Sequence, residues 1–245
     1  MRCRRLQRLS AEPTRAQYVD CTAAALFPSL EAGDGVPLMP GGEPAWVLLD
    51  KEREDGVAAQ LGALLAELGS RVPDDLSEGV SVDETGGVVH ICEGASISEC
   101  VKIEGPCYVG TGAELRHAAY LRGDSWICSG AVVGHATEVK HSVLLPGAKA
   151  PHFNYVGDSL LGGDVNLGAG VKLSNLRNDG RNVLVRGLGD PVDSGLRKFG
   201  AILGEGTGLG CNAVTNPGVV LGMRCNVWPN VTVSGAHPAG SVLRE

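Results

Sequence analysis

The chain has 245 residues, 43% of them hydrophobic and 20% charged, with a formal net charge of −7. That length suits one large domain with an appendage, the composition excludes a disordered chain, and the acidic balance argues against nucleic acid as the main partner. Glycine is abundant at 36 residues and aromatics are scarce at 4%, as a fold of tight turns and thin aliphatic layers requires.

The amino-terminal stretch MRCRRLQRLSAEPTR is basic but lacks the apolar region of a secretory signal. No segment approaches the ~20 apolar residues of a membrane span, so a cytoplasmic location is expected. Residues 1–17 read as frayed. Residues 18–43 carry turn signals at Gly33-Asp34-Gly35 and Pro40-Gly41-Gly42. Residues 44–69 read as one helix, with Pro44 in its first turn and Trp46, Leu48, Leu49, Val57, Leu61, Leu64, Leu65 and Leu68 as its apolar positions. Residues 1–87 are therefore expected to form an N-terminal extension with a small helical cap. Such a cap would cover the open end of the following domain, which otherwise exposes strand edges.

From about Val88 the pattern changes. Ile91, Ile97, Ile103, Val109, Leu115, Leu121, Ile127, Val133, Val139 and Leu145 recur every six residues. Neither a helix nor a simple strand explains this period; a parallel β-helix, in which each short strand gives one inward aliphatic residue, does. The phase breaks over 146–155, resumes at Leu161, Leu167 and Leu173, breaks again over about 175–199, and returns at Leu203, Leu209, Thr215, Leu221, Val227 and Val233. The two breaks are expected to be loops extruded from the solenoid, where function often resides. Residues 88–245 are thus expected to form the second domain. Eight cysteines occur without a CxxC pair, so a zinc knuckle is not expected and reduced thiols are.

Three hexads per coil stack residues eighteen apart at the ~4.8 Å strand spacing. Arg122 and Lys140 are so related, and each follows an inward aliphatic residue. Two adjacent cations call for an anion between them, a phosphate being the natural one. The alternative is two solvated cations balanced by neighbours such as Asp124 and Glu138. His152 and Tyr155 lie in the first break, where a histidine can serve as a general base or be a plain surface residue. Asn166 and Asn175 can bind a ligand or merely bond a turn's backbone.

The aliphatic-Gly pairs, among them Val109-Gly110, Val133-Gly134, Leu167-Gly168 and Leu203-Gly204, resemble the left-handed β-helix of hexapeptide-repeat transferases. That resemblance implies an all-β, left-handed parallel β-helix. The segment KAPHFNYVGDSLLGGDVNLGAGVKLSN resembles the acetyltransferase domain of the bacterial bifunctional glucosamine-1-phosphate acetyltransferase / N-acetylglucosamine-1-phosphate uridyltransferase. The likeness covers roughly residues 88–234 and needs no gap between Arg122 and Asn175. It implies that His152 is the general base acting on the sugar amine. It implies that Arg122, Lys140 and Tyr155 hold the sugar phosphate, and that Asn166 and Asn175 bind and orient the sugar and the reacting centre. Cys211, in LGCN, matches a small residue whose backbone lies near the acyl donor. Arg181 is the nearest basic residue after Asn175 and stands in for a family lysine. The resemblance further implies acetyl-coenzyme A as donor, an acyltransferase reaction on a sugar phosphate or sugar nucleotide, no metal, and a homotrimer with sites between subunits.

Three departures accompany it. Residues 1–87 are too short for the family's pyrophosphorylase domain and hold neither a G-x-G-x-x-G nor a P-loop spacing. That activity is not expected here, and a separate pyrophosphorylase becomes a candidate partner. The family's basic C-terminal tail, which helps to hold coenzyme A, has no counterpart. The stretch 177–198 is longer than the family's. Two other readings stay open: a non-catalytic sugar-nucleotide-binding or scaffold protein beside a separate nucleotidyltransferase, and a metalloenzyme like the hexapeptide-repeat carbonic anhydrases, drawing zinc ligands from His117, His135, His141 and His152.

Overall fold

The computed structural model describes residues 19–33, 35–187 and 189–245. The reading of residues 1–17 falls outside them. The six-residue period builds what it predicts: a parallel β-helix of three eight-stranded sheets, each strand pairing with its counterpart one coil away. Inward residues stack in register, Ile91 on Val109 on Ile127 on one sheet and Ile103 on Leu121 on Val139 on another. They form a single aliphatic column that excludes water almost completely. Each such side chain contributes roughly 1.5–3 kcal/mol on burial, so the column supplies the main drive for folding.

The first sheet, here the site face, runs from Ser81–Asp83 through Lys102–Glu104, Tyr120–Leu121, Glu138–Lys140, Tyr155–Gly157, Lys172–Leu173 and Val214–Thr215 to Thr232–Val233. Its first strand precedes Val88, so the solenoid begins inside the segment expected to be only a cap. The second, the covered face, includes Cys107–Val109, Ser125–Ile127, Ser142–Leu144 and Leu160–Leu161. The third includes Val132–His135, Lys149–His152 and Asn166–Leu167.

Four further sequence expectations change. Leu145 is not the inward member of its hexad. Leu144 pairs with Ile127 and enters the column, whereas Leu145 packs in the outer cluster. The cause is a shortened corner: Ser125 is reached through Gly123 and Asp124, but Ser142 through His141 alone and Ser159 through Asp158 alone. Both single corner residues adopt left-handed backbone, with φ of 42° at His141 and 47° at Asp158. With those deletions counted, Ala150 and Val156 are inward and in phase. The stretch 146–155 is therefore regular coil, not an extruded loop.

Only the second break leaves the solenoid. Its neck closes at an antiparallel bridge between Leu176 and Lys198, and it carries a hairpin of Leu184–Val185 against Val192–Asp193. Val183, Val185, Leu196 and Phe199 bury themselves in the outer cluster.

The single helix expected over 44–69 is two. A 3-10 helix, Ala45–Leu49, is separated from an α-helix, Val57–Leu68, by a turn. Asp50 turns back to accept the Glu52 N–H at 3.0 Å. At Gly56 a side chain has no room, since an added Cβ would lie 2.4 Å from the Asp50 carbonyl oxygen. Nor does this cap lie across the open end of the first coil. It runs along the covered face, whose outward residues Tyr108, Trp126, Val143, Leu160, Ile202 and Val220 form one apolar ladder. Trp46, Leu48, Leu61 and Leu65 pack on that ladder from the cap, and Phe199 from the insert. The Trp126 indole N–H donates to the Gly35 carbonyl at 2.9 Å, and the Glu205 N–H reaches the Leu26 carbonyl at 3.0 Å.

Among the described residues no disulfide forms; the buried Cys107 and Cys128 thiols are pushed up by desolvation. No helix among them is long and apolar enough to cross a membrane.

Candidate functional site

Arg122 and Lys140 stand side by side on the site face, as the eighteen-residue spacing requires; the Arg122 N–H donates to the Val139 carbonyl at 2.8 Å. Arg122 Nη1 donates to Glu138 Oε1 at 2.9 Å. Lys140 Nζ lies 3.7 Å from Asp158 Oδ2, with the lysine side chain 18% exposed. Desolvation pulls the Lys140 ammonium below its ordinary range and Asp158 opposes that shift. Lys198, Lys51 and Arg122 are close enough to add to it. Two cations that sequence reading missed therefore reach this patch: Lys51 from the cap, paired with Asp124 at 2.5 Å, and Lys198 from the neck of the insert.

The next coil brings Tyr155 beside Glu138, and the one after brings Asn175 within reach. Asn175 Nδ2 donates to the Tyr155 hydroxyl oxygen at 3.2 Å and also to Asp158 Oδ2. The backbone of Asn175 is pinned by the Phe199 N–H, which donates to its carbonyl at 2.9 Å. Burial and the neighbouring carboxylates Asp158 and Glu138 outweigh the Asn175 bond and raise the Tyr155 hydroxyl, so it is protonated at neutral pH.

Behind these residues lies a buried pair. His141 Nδ1 and Asp158 Oδ1 are 2.9 Å apart, with side chains 1% and 3% exposed. Desolvation alone would raise the Asp158 carboxyl, but the His141 bond, the Lys140 charge and the Asn175 amide hold it below the usual carboxylate range. The sequence carried one sign of this pair, the Gly157-Asp158 dipeptide inside the resembling motif. Nothing in it marked His141 as the partner.

His152 ends a strand of the third face, three residues before Tyr155 on the site face. It is exposed, and its backbone is fixed: its N–H donates to Asn154 Oδ1 at 3.0 Å and its carbonyl accepts from Gly170 at 3.0 Å. The buried Asn154 anchors the corner by donating to the Gly168 carbonyl at 2.8 Å. Asn166 lies on the third face, between Lys149 and Gly208. Cys211 is exposed at a turn beneath Gly168, where an added Cβ would stand 2.6 Å from its nitrogen. Arg181 is 77% exposed and held by Asp179 at 2.8 Å. The structure thus gathers Arg122, Lys140, Tyr155 and Asn175 on one face and sets His152 at the adjoining edge. Asn166, Cys211 and Arg181 stand apart from that cluster.

Two hollows adjoin it. One of about 330 Å³ is lined by Tyr155, Lys172, Ser174, Asn175 and Leu176. A larger one of about 550 Å³ shares Ser174 and Leu176 and continues beneath the insert past Arg177, Asp179 and Arg186.

Of the four histidines of the zinc alternative, His152 pairs in register with His135 on the third face. His117 and His135 stack with Nδ1 atoms 3.1 Å apart, while His141 is committed to Asp158. Among the described residues no group of three or more His, Cys, Asp or Glu side chains is arranged to hold a metal ion.

No family model matches the chain. It is 42% identical over 99 residues to a bifunctional sugar-1-phosphate nucleotidylyltransferase/acetyltransferase from Sulfurisphaera tokodaii, which is 40% of this chain and 25% of that protein. It is 38% identical over 98 residues to the bifunctional protein GlmU of Methanococcus maripaludis, 40% of this chain and 24% of that one. The chain therefore spans about a quarter of the length of these curated relatives. Among solved structures, a putative acetyltransferase from Bacillus cereus overlaps 64% of this chain and 78% of its own, with a TM-score of 0.43 and 18% identity. The acetyltransferase domain of PglB from Neisseria gonorrhoeae, in complex with acetyl coenzyme A, overlaps 86% and 80%, with a TM-score of 0.26 and 14% identity.

Proposed function

We propose that this chain is a coenzyme A-dependent acyltransferase that moves an acetyl or related acyl group to the amine of an amino-sugar phosphate or sugar nucleotide. The observation that carries the reading is the convergence of Arg122, Lys140, Tyr155 and Asn175 on one sheet face beside the edge that holds His152. The two cations and the protonated Tyr155 hydroxyl suit a phosphate dianion, which accepts charge-assisted hydrogen bonds. His152 takes a proton from the sugar amine as its nitrogen attacks the thioester carbonyl; the C–N bond forms, the C–S bond breaks, and the coenzyme A thiolate leaves and is protonated. Fixing the acceptor by its phosphate makes this step effectively intramolecular. Asn175 orients the acceptor, and Asn166 contacts the sugar from the third face. The Cys211 backbone lies near the donor, and Arg181 contacts the donor from the insert. The chain works as a homotrimer, and any nucleotidyl transfer belongs to a separate pyrophosphorylase. The similarity to the bifunctional transferases over two-fifths of the chain supports the same chemistry.

The test is coenzyme A release from acetyl-coenzyme A with glucosamine-1-phosphate as acceptor. Release that requires the sugar and vanishes in His152→Ala supports the enzyme. Phosphosugar binding without release supports the non-catalytic binding protein.

A further inference from the structure

The hydrogen bonds around Asp158 have a direction, and the direction limits what the site can recognise. An ionised carboxylate only accepts. Asp158 is ionised at neutral pH, since its partners hold it below the usual carboxylate range. His141 must therefore present Nδ1–H to Oδ1, and Asn175 must present its amide nitrogen to Oδ2. The same nitrogen donates to the Tyr155 oxygen at 3.2 Å. Both amide protons of Asn175 are thus used on protein groups, and its carbonyl oxygen is the atom left for the hollow that Tyr155 and Asn175 line. The Tyr155 oxygen already accepts one bond, so its own hydrogen is directed elsewhere.

We propose that Asp158 is a positioning residue that fixes the hydrogen-bond polarity of the site: Tyr155 offers a donor and Asn175 offers an acceptor. This rests on the functional reading above and deepens it. The ligand class is one that presents an anionic oxygen to Tyr155 and a hydroxyl or amine N–H to Asn175, as a hydroxylated amino-sugar phosphate does. Asn175 consequently binds and orients the acceptor and does not stabilise an oxyanion, because it has no amide proton to spare. His141 acts one step further back, holding the carboxylate that sets both groups. Among the described residues the buried Nε2 of His141 has no hydrogen-bond partner, so the pair is tied to the site through Asp158.

Two measurements test this, and the first needs no ligand. In ¹H–¹⁵N spectra of the full chain, the Asn175 side-chain amide, assigned by its loss in Asn175→Ala, should show protection from solvent exchange. Protection should disappear in Asp158→Ala and in the milder His141→Gln fall at least severalfold. An amide that exchanges freely in the wild type, or stays protected without Asp158, overturns the proposal whatever the enzyme does. The second is calorimetric titration with glucosamine-1-phosphate. Tyr155→Phe should weaken binding about tenfold to a hundredfold, the range for a hydrogen bond to a charged group. It should leave binding of unphosphorylated glucosamine unchanged. In Asp158→Asn, KM for the phosphosugar should rise more than kcat falls. Equal losses for both sugars in Tyr155→Phe would overturn the donor assignment. A protected amide in a wild type that binds no phosphosugar would instead overturn the functional reading and leave the polarity standing.

Discussion

At the scale of single residues, the proposed site divides into groups that would touch the acceptor and groups that hold them. His152 belongs to the first. General base catalysis contributes on the order of 10²–10⁴ in rate, so His152→Ala should lose that factor in kcat while KM for the phosphosugar stays within about twofold. Steady-state kinetics separates the two, and a tenfold rise in KM would assign His152 to binding. Asp158 belongs to the second. Its carboxyl is depressed in the folded chain, so it contributes stability above the unfolded value of ~3.9, and that contribution is lost as pH falls towards the folded value. Thermal melts between pH 6 and pH 3, values set about the ~3.9 midpoint, should show a steeper decline for wild type than for Asp158→Asn; parallel curves would mean that the carboxylate is not held as described. The adjacency of Arg122 and Lys140, the proposed phosphate contacts, could be read from numbers alone because a coil of constant length converts sequence spacing into neighbours. The holding residues could not, because His141 meets Asp158 only where two corners each lose one residue, and a six-residue count passes over such a loss.

At the scale of elements, the same deletions explain why the hexad count named Leu145 where Leu144 is inward, and why 146–155 read as a loop although it is regular coil. Inward positions were legible because each must be aliphatic; outward positions carry no such rule, so the apolar ladder on the covered face was overlooked. That ladder holds two excursions that reach the site. The cap brings Lys51 and the insert brings Lys198, and each is anchored by an aromatic residue. Trp126 is 3% exposed and bonded to Gly35. Trp126→Ala should cost about 3–5 kcal/mol, as truncation of a buried Trp does. Limited proteolysis should then cut first within residues 30–56, while a cut distributed over the whole chain would show that cap and solenoid unfold together. Phe199 is fully buried and its N–H holds Asn175. Phe199→Ala should weaken phosphosugar binding although the side chain touches no ligand, through loss of the Lys198 and Asn175 positions. Unchanged binding in a folded Phe199→Ala variant would show that the insert neck does not shape the site.

At the scale of the whole molecule, the three faces are not equivalent. One is sealed by the cap and the insert, with its ladder buried beneath them. The other two meet at the edge that carries the proposed base, and both present polar and small side chains to solvent: Glu138, Tyr155 and Lys172 on one, Lys149, Asn166 and Gly208 on the other. A general base exposed on a convex edge has no means of excluding water from a thioester, and exclusion is what makes fixed dipoles effective at a reacting carbonyl. A neighbouring copy laid against that edge would supply the missing wall. Closed rotational symmetry is the common way for identical chains to do this, and it can use only the two bare faces. Three copies would give a sedimenting mass of three times 25.3 kDa. Activity per chain should then fall on dilution through the dissociation range, in parallel with the loss of that mass. Full activity per chain in a species of one copy would show that the edge is complete by itself, and that the acceptor and donor meet on a single solenoid.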